Sequence, residues 1–395
     1  MEVFMMKQPV LRQVAVIGVG MSIFGKQTER TFIDLATEAC RAAIKDAGIN
    51  PKEIEGTYCA NLQSDYGKQH AVCLAQEVAS KVGVVNGEMM TIENACAGGS
   101  TAVRRTFLDI ALGMYDIGMA FGVDCMTRAL KKGTLLSTED IDGLLGNSMP
   151  AYGAMQMRRH MGLYGTTLEQ FAQVSVKNHH NGCLNPYSQY HEEMTVEQVL
   201  NSRMICDPLT IFEVCPYTDG AAAVIFCVGN KVRQYTSRPV WMAGSGLMSG
   251  TYAALADNIC ASTMGEQAAR EAYEMAGIGP EDVDLVELHD AFAAVEIMNT
   301  EDLLLCPRGE GGRLVSEGIT WLGGKCPVNP SGGLISQGHP ISASGVRQIC
   351  EITWHLRGQA GTRQVEGAKV GVAHMEGGVI AGLQGGACCV NILKV

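Results

Sequence analysis

Two residues far apart in the chain have the types and surroundings of a nucleophile and its base. Cys96 stands in residues 92–100, IENACAGGS, just ahead of two glycines and a helical run, TAVRRTFLDIALGMY. A sulfur at a helix N-terminus meets unpaired amide hydrogens and the positive end of the dipole, and both favour thiolate. The glycines leave room for a substrate beside it. His339 lies in residues 329–345, NPSGGLISQGHPISASG, where glycines and small residues admit close approach of other backbone and of substrate. A thiol and an imidazole supplied by distant segments are the raw material of covalent group transfer. The chain has 15 cysteines, and a cysteine is most often an inert buried hydrophobe, so context rather than residue type singles out Cys96.

A second histidine, His289, follows the strand pattern of residues 283–288 in the run ELHDAFA. The C-terminal end of a parallel strand is where open α/β sheets place ligands. There an imidazole can donate to a developing oxyanion, with Asp290 or another acceptor fixing its tautomer. The plainer alternative is a polar side chain bonded to loop backbone.

Stepping outward, the elements that must hold these residues read as layered α/β units. Residues 14–20, VAVIGVG, predict a buried strand running into a glycine turn, and residues 31–47 an amphipathic helix. Gly18-Val19-Gly20 lacks a correctly placed third glycine and a downstream acidic residue, so a packing turn is preferred to a dinucleotide site. Residues 39–51 are echoed by 268–280 at a constant offset of 229, each copy running through Ala-Gly-Ile-x-Pro into an acidic turn and a strand. A duplicated α/β half is the economical reading. The expected halves are residues 1–228 and 229–395, the second opening at RPVWMAGSG. Residues 129–208, rich in Met, His, Tyr and Asn, lack strand periodicity and read as a loop domain inserted in the first half, followed by a strand at 222–228. Such an insertion shapes a substrate pocket or an oligomer contact.

With 395 residues, 47% hydrophobic and 18% charged, the chain can bury a large core. A net charge of −11 and a pI near 5.3 argue against a nucleic-acid partner, because phosphate backbones need a basic surface. The scattered cysteines and the absence of a leader pattern predict a reducing cytoplasm. No CxxC spacing is present, so no metal is expected, and the apolar runs fall short of a membrane span.

In order along the chain, ENACAGGS, DPLT with CPYTDGAAA, ELHDAF, LGGKCPVNPSGGLISQGHP and LRGQAGTRQVEGAKV resemble the pattern of the thiolases, specifically the sterol-carrier-protein type. The resemblance spans nearly the whole chain. It implies a five-layered α-β-α-β-α fold of two duplicated halves with the inserted loop domain, assembled as a dimer or a dimer of dimers. It also implies coenzyme A as substrate with no permanently bound cofactor. Cys96 would attack the 3-keto carbon of a 3-oxoacyl-CoA while His339 activates it. His289 and His339 would hold the thioester oxygen of the leaving enolate. The amide of Cys96 and one from the C-terminal glycine loop would hold the second oxyanion, and free CoA would close a ping-pong cycle.

The chain also departs from that pattern. Where sterol-carrier-type relatives carry an acid/base cysteine after the His-Asp pair, this chain has Ala291. The C-terminal loop, AHMEGGVIAGLQGGACC, is lengthened and offers His374 and Glu376, with Cys388 and Cys389 reading as strand residues. Glu376, His374, Cys326 or a water are the open choices for protonating the enolate. These departures suit a bulky, branched or aromatic acyl group, such as a benzoylsuccinyl-CoA-type substrate, in a degradative role. Rival readings are a thiolase-like retro-aldolase of a β-hydroxyacyl-CoA, which predicts loss of the nucleophile and base, and a non-catalytic acyl-CoA-binding subunit. The resemblance further suggests a small partner protein with an OB-fold and a zinc ribbon. Arg158 and Arg159 are weak candidates for CoA-phosphate contacts.

Overall fold

The computed structural model describes residues 11–62, 73–85, 87–129, 141–251, 258–380 and 383–395. The start of the predicted insertion, 130–140, and part of the glycine loop, 381–382, lie outside the described residues. The first half runs β1 (Val14–Met21), α1 (Phe32–Ala47), β2 (Gly56–Ala60), α2 (Leu74–Val82), β3 (Glu88–Ile92), α3 (Gly98–Ala111) and β4 (Ile117–Cys125). Then come α4 (Met126–Ala129), α5 (Ile141–Leu144), α6 (Met149–Tyr164), α7 (Leu168–Cys183) and α8 (Val196–Leu200), the short pair β5 (Met204–Cys206) and β6 (Leu209–Thr210), and β7 (Asp219–Val228). The remainder is β8 (Val240–Ser249), α9 (Thr263–Ala276), β9 (Leu285–Glu287), α10 (Ala293–Asp302), α11 (Gly311–Ser316), α12 (Ile341–Arg357), β10 (Val370–Ile380) and β11 (Gln384–Lys394). No described helix is long and apolar enough to cross a membrane.

Nine strands form one mixed sheet in the order β3-β2-β4-β7-β1-β8-β11-β10-β9. The two half-sheets meet at a narrow seam, where β1 and β8 pair only Ala15 with Trp241 and Val16 with Val240. Between them lie α3 and α12, which pack on each other. α3 contacts β2 and β4 on one side and β11 on the other; α12 contacts β4 and β7 on one side and β10 on the other. Helices α1 and α9 cover the outer faces, giving the layer order α-β-α-β-α. Strand β7 shows why its sequence is apolar throughout. Ala222, Val224 and Phe226 face the central helices, while Ala221, Ala223 and Ile225 face the outer layer with α1. A strand buried on both faces gains burial from every residue.

The duplicated pattern has a physical basis in both halves. Thr31 caps α1 by accepting from the Asp34 amide at 3.1 Å, and Ser262 caps α9 by accepting from the Gly265 amide at 3.0 Å. Each such cap is worth about 1 kcal/mol. Both helices end on a left-handed glycine, Gly48 and Gly277, and both then turn through a proline-led 3-10 segment. The glycines of VIGVG lie inside β1 rather than in a turn after it. A Cβ on Gly18 would stand 2.3 Å from the Ala43 carbonyl oxygen, and one on Gly20 2.4 Å from that of Ala39. In β8, Gly244 and Gly246 meet Ala272 and Ala268 in the same way, at 2.2 and 2.1 Å. These glycines seat a helix on its strand, and the dinucleotide reading has no geometric support here.

The described part of the insertion is mainly helical. Helices α6 and α7 pack against α10, and α7 also supports the segment that precedes His339.

Candidate active site

Cys96 is placed by a strained corner between β3 and α3. Ala95 takes a left-handed φ of +46° and donates its amide to Glu93 Oε1 at 2.7 Å. A non-glycine residue held there costs on the order of 1 kcal/mol, which the surrounding packing must offset. Asn94 Nδ2 ties the corner to Thr101 Oγ1 at 3.0 Å. The C-terminal part of β10 closes on it. A Cβ on Gly377 would lie 2.5 Å from the Asn94 carbonyl oxygen, and the Gly378 amide reaches the Cys96 sulfur. The expectation of a resting thiolate needs correction. Burial pushes the Cys96 thiol up to about 12, and the Gly378 and Cys96 amides only partly oppose it. At neutral pH the sulfur carries its proton.

The second of the two glycines after Cys96 serves a different end from the one expected. A Cβ on Gly99 would sit 2.3 Å from the Ser342 carbonyl oxygen, so this glycine admits α12 rather than substrate.

His339 is delivered by a turn whose Gly332, Gly333 and Gly338 all have positive φ, around a π-helical segment at Gly333–Gln337. Its amide donates to Thr218 Oγ1 at 3.1 Å. Its Nδ1 lies 2.8 Å from Ser344 Oγ, while the Ser344 hydroxyl donates to the Pro340 carbonyl at 3.3 Å. With that hydrogen committed, Ser344 can only accept from the ring. Nδ1 therefore carries the hydrogen and Nε2 is left bare. Burial, then the neighbouring His289 and Arg347, push the His339 pKa well below the usual imidazole range, which keeps the ring a neutral base. Ser344 was not singled out in the sequence, although it stands five residues after His339 in the quoted motif.

His289 completes the cluster. It is 8% exposed, burial pushes its pKa down to about 4, and neither ring nitrogen has a hydrogen-bond partner among the described residues. A buried imidazole without partners is costly unless a ligand supplies one. Asn299 Nδ2 anchors its backbone carbonyl at 2.7 Å. The Cys96 sulfur and one ring nitrogen each of His289 and His339 all lie within 4.8 Å of one another, and the two imidazoles meet edge to face at 5.6 Å. Asp290 does not fix the His289 tautomer. Its carboxylate accepts from the amides of Leu334 at 2.6 Å and Ile335 at 3.3 Å and from Asn178 Nδ2 at 2.8 Å, thereby holding the turn that delivers His339.

Cys96 and His289 open on a cavity of about 500 Å³. Ala291 lines it where the expected cysteine would be, together with Phe292, Met298 and Glu376. Cys326 and His374 are not on its described lining. His374 Nε2 instead lies 3.3 Å from Cys388 Sγ, inside the β10–β11 pair, and Cys389 Sγ faces the Ser100 carbonyl at 3.5 Å. Arg158 pairs with Asp207 on the surface, and with Arg159 it borders a separate shallow hollow.

Comparison with known proteins agrees along the whole chain. Residues 14–230 match the family described as thiolase, N-terminal domain, and residues 247–384 the thiolase C-terminal domain-like family. The acetyl-CoA acetyltransferase of Methanothermobacter thermautotrophicus is 42% identical over 97% of this chain and 100% of its own length. Sterol carrier protein 2 of Bos taurus is 36% identical over 98% of the chain and 73% of its own, and the benzoylsuccinyl-CoA thiolase subunit BbsB of Thauera aromatica is 36% identical over 93% and 95%. Among solved structures, the Ltp2-ChsH2(DUF35) aldolase shares the fold, with a TM-score of 0.82 at 23% identity over 98% of this chain and 99% of that one.

Proposed function

Since the chain belongs to the thiolase family, we propose that it is an acyltransferase that cleaves a 3-oxoacyl-CoA with free CoA through an acyl-enzyme on Cys96. The observation that carries this reading is the convergence of Cys96, His289 and His339 within 4.8 Å, with Cys96 and His289 on the wall of one cavity. Nε2 of His339 takes the thiol proton as the sulfur bonds to the 3-keto carbon. The bond between the α and β carbons then breaks, and its electron pair leaves as an enolate whose oxygen accepts from His289. The imidazolium on His339 holds the proton that the α carbon needs, so the proton count closes without a second cysteine. In the second half-reaction the CoA thiol gives its proton to His339 and attacks the acyl carbon, whose oxyanion faces the Cys96 and Gly378 amides. Collapse releases the Cys96 sulfur, which recovers the proton.

The cavity has room for a bulky, branched or aromatic acyl group, and similarity to a benzoylsuccinyl-CoA thiolase subunit supports a substrate of that type used degradatively. A small OB-fold and zinc-ribbon partner is supported by the word subunit in that relative's name and by the two-component name of the structural neighbour. Self-association as a dimer or dimer of dimers is supported by β3, which ends the sheet with its outer edge unpaired among the described residues and with Met90 exposed. Fifteen cysteines with no disulfide among the described residues favour a cytoplasmic setting. A retro-aldolase would need neither the nucleophile nor its base, and both are present and adjacent.

Intact-protein mass spectrometry after incubation with 3-oxoacyl-CoA esters tests the proposal. An acyl adduct that disappears on adding CoA, and is missing in Cys96→Ala, is the expected result. No adduct with any ester, in the presence or absence of a partner protein, would overturn the covalent reading and leave the aldolase and binding-subunit alternatives.

A further inference from the structure

Part of the cavity wall is polar in a way that cleavage of the carbon–carbon bond does not use. Gln156, from α6, is 7% exposed; its Nε2 donates to the Ile259 carbonyl at 3.0 Å, while its buried Oε1 has no partner among the described residues. Glu376, from β10, also lines the cavity and is met by the Ser262 hydroxyl, whose oxygen is already occupied in accepting from the Gly265 amide. Asp302, at the end of α10, is 2% exposed and accepts from the Ser262 amide at 3.1 Å and from Arg308 Nη1 at 2.5 Å, both at Oδ1. Gln156, Ser262, Asp302 and Glu376 thus line the same cavity, whose remaining lining mixes apolar side chains such as Phe292 and Met298 with polar ones such as Asn258 and Gln267.

The charge balance narrows what that wall can take. No lysine or arginine is among the described lining residues, and Arg308 is shared among Asp302, Glu301 and Glu266. A carboxylate on the substrate would therefore face acceptors with no cation to offset it. Burial raises both acidic groups, Asp302 to about 8 and Glu376 above its ordinary range, which works against a build-up of negative charge on this wall. An uncharged group that both donates and accepts complements a bare amide oxygen beside carboxyl groups, whereas a hydrocarbon end leaves Gln156 Oε1 unsatisfied.

Resting on the thiolase reading, we infer that Gln156 and Glu376, with Ser262 and Asp302 behind them, form a specificity subsite for a hydroxyl group on the acyl portion of the 3-oxoacyl-CoA. The thiolase site supplies the chemistry, and this wall selects which acyl group is presented to it.

The test separates the two claims. Binding is measured by calorimetry on full-length Cys96→Ala, which cannot turn over, with 3-oxoacyl-CoA esters of equal length ending in methyl, hydroxyl, ammonium or carboxylate. The hydroxylated ester is expected to bind about tenfold more tightly than the unsubstituted one, the worth of one or two satisfied hydrogen bonds. Adding Gln156→Leu or Glu376→Leu should bring that ratio to about one. Equal affinities, a preference for the ammonium or carboxylate ester, or a ratio that survives both substitutions would each overturn the subsite. Thiolysis of the same esters by the unsubstituted protein is followed in parallel. Its failure, with no Cys96 adduct, defeats the thiolase reading, whereas turnover accompanied by a flat binding ratio defeats the subsite alone.

Discussion

The N-termini of α3 and α12 occupy equivalent places in the two halves and are put to opposite uses. Cys96 stands two residues before Gly98, and His339 two residues before Ile341. Neither helix has a side-chain N-cap hydrogen bond, whereas the peripheral α1, α6, α7 and α9 are capped by Thr31, Ser148, Thr167 and Ser262. Leaving a cap out forgoes about 1 kcal/mol, and here it leaves both helix ends facing the reacting groups. At His339 burial and the positive helix end act together, since both disfavour an imidazolium, and the ring stays neutral and basic. At Cys96 they oppose, and burial prevails, so the thiol remains protonated. One structural position therefore yields a resting base and a resting acid, aimed at each other.

The sharpest way to break that comparison is to remove either member. Cys96→Ala should abolish both the acyl adduct and thiolysis, a loss of at least about 10⁴-fold in kcat. His339→Ala retains the sulfur but not its base. Its acylation rate, followed by stopped-flow mass spectrometry, should fall by about 10³-fold, within the usual range for a general base. A loss below tenfold would mean that the thiol ionises without His339, and the pairing of the two helix ends would be incidental.

His289 sharpens the comparison from the other side, because it belongs to neither helix. It is carried by the loop after β9 and has no competing hydrogen-bond partner among the described residues. His289→Ala should lower kcat by about 10²-fold while leaving the affinity of Cys96→Ala for the same ester within about twofold, as expected of a donor used only when charge develops. Equal losses in binding and in kcat would assign it to ground-state recognition instead.

Much of this arrangement was legible in the residues, and what was not has a common cause. The echo at an offset of 229 marked α1 and α9 because caps, left-handed glycines and Pro-led turns are local devices that leave local signatures. Cys96, His289 and His339 stood out because each follows or precedes a recognisable element. Whether Cys96 is thiol or thiolate could not be read, because it depends on how α3 is buried against α12 and on a glycine amide nearly three hundred residues away. The roles of Asp290 and Gly99 were misread for the same reason. Their partners are Leu334 and the Ser342 carbonyl, brought in by tertiary packing. Ser344 was overlooked because a serine in a helix of small residues carries no sign of its own.

The smallest expected effect is at Ser344, and it tests the proton logic most directly. Ser344→Ala removes the acceptor that keeps the hydrogen on Nδ1, so a fraction of the rings present the wrong nitrogen to Cys96. Acylation should slow by about tenfold, Ser344→Thr should recover most of the loss, and ester binding to Cys96→Ala should be insensitive to both. The pH profile supplies the decisive readout. His339 has a pKa well below the ordinary 6.5, so its bare nitrogen persists through the neutral range. The wild-type kcat/KM for acylation should therefore be flat from about pH 6.5 to 9 and decline only on the acid side, where the ring takes up a proton. Ser344→Ala should lower that plateau without tilting it. If the sulfur had to ionise before attack, its raised pKa would instead make the rate climb about tenfold per pH unit across the whole interval. A flat profile means that proton removal and attack occur together, which is what a neutral thiol facing a neutral imidazole requires.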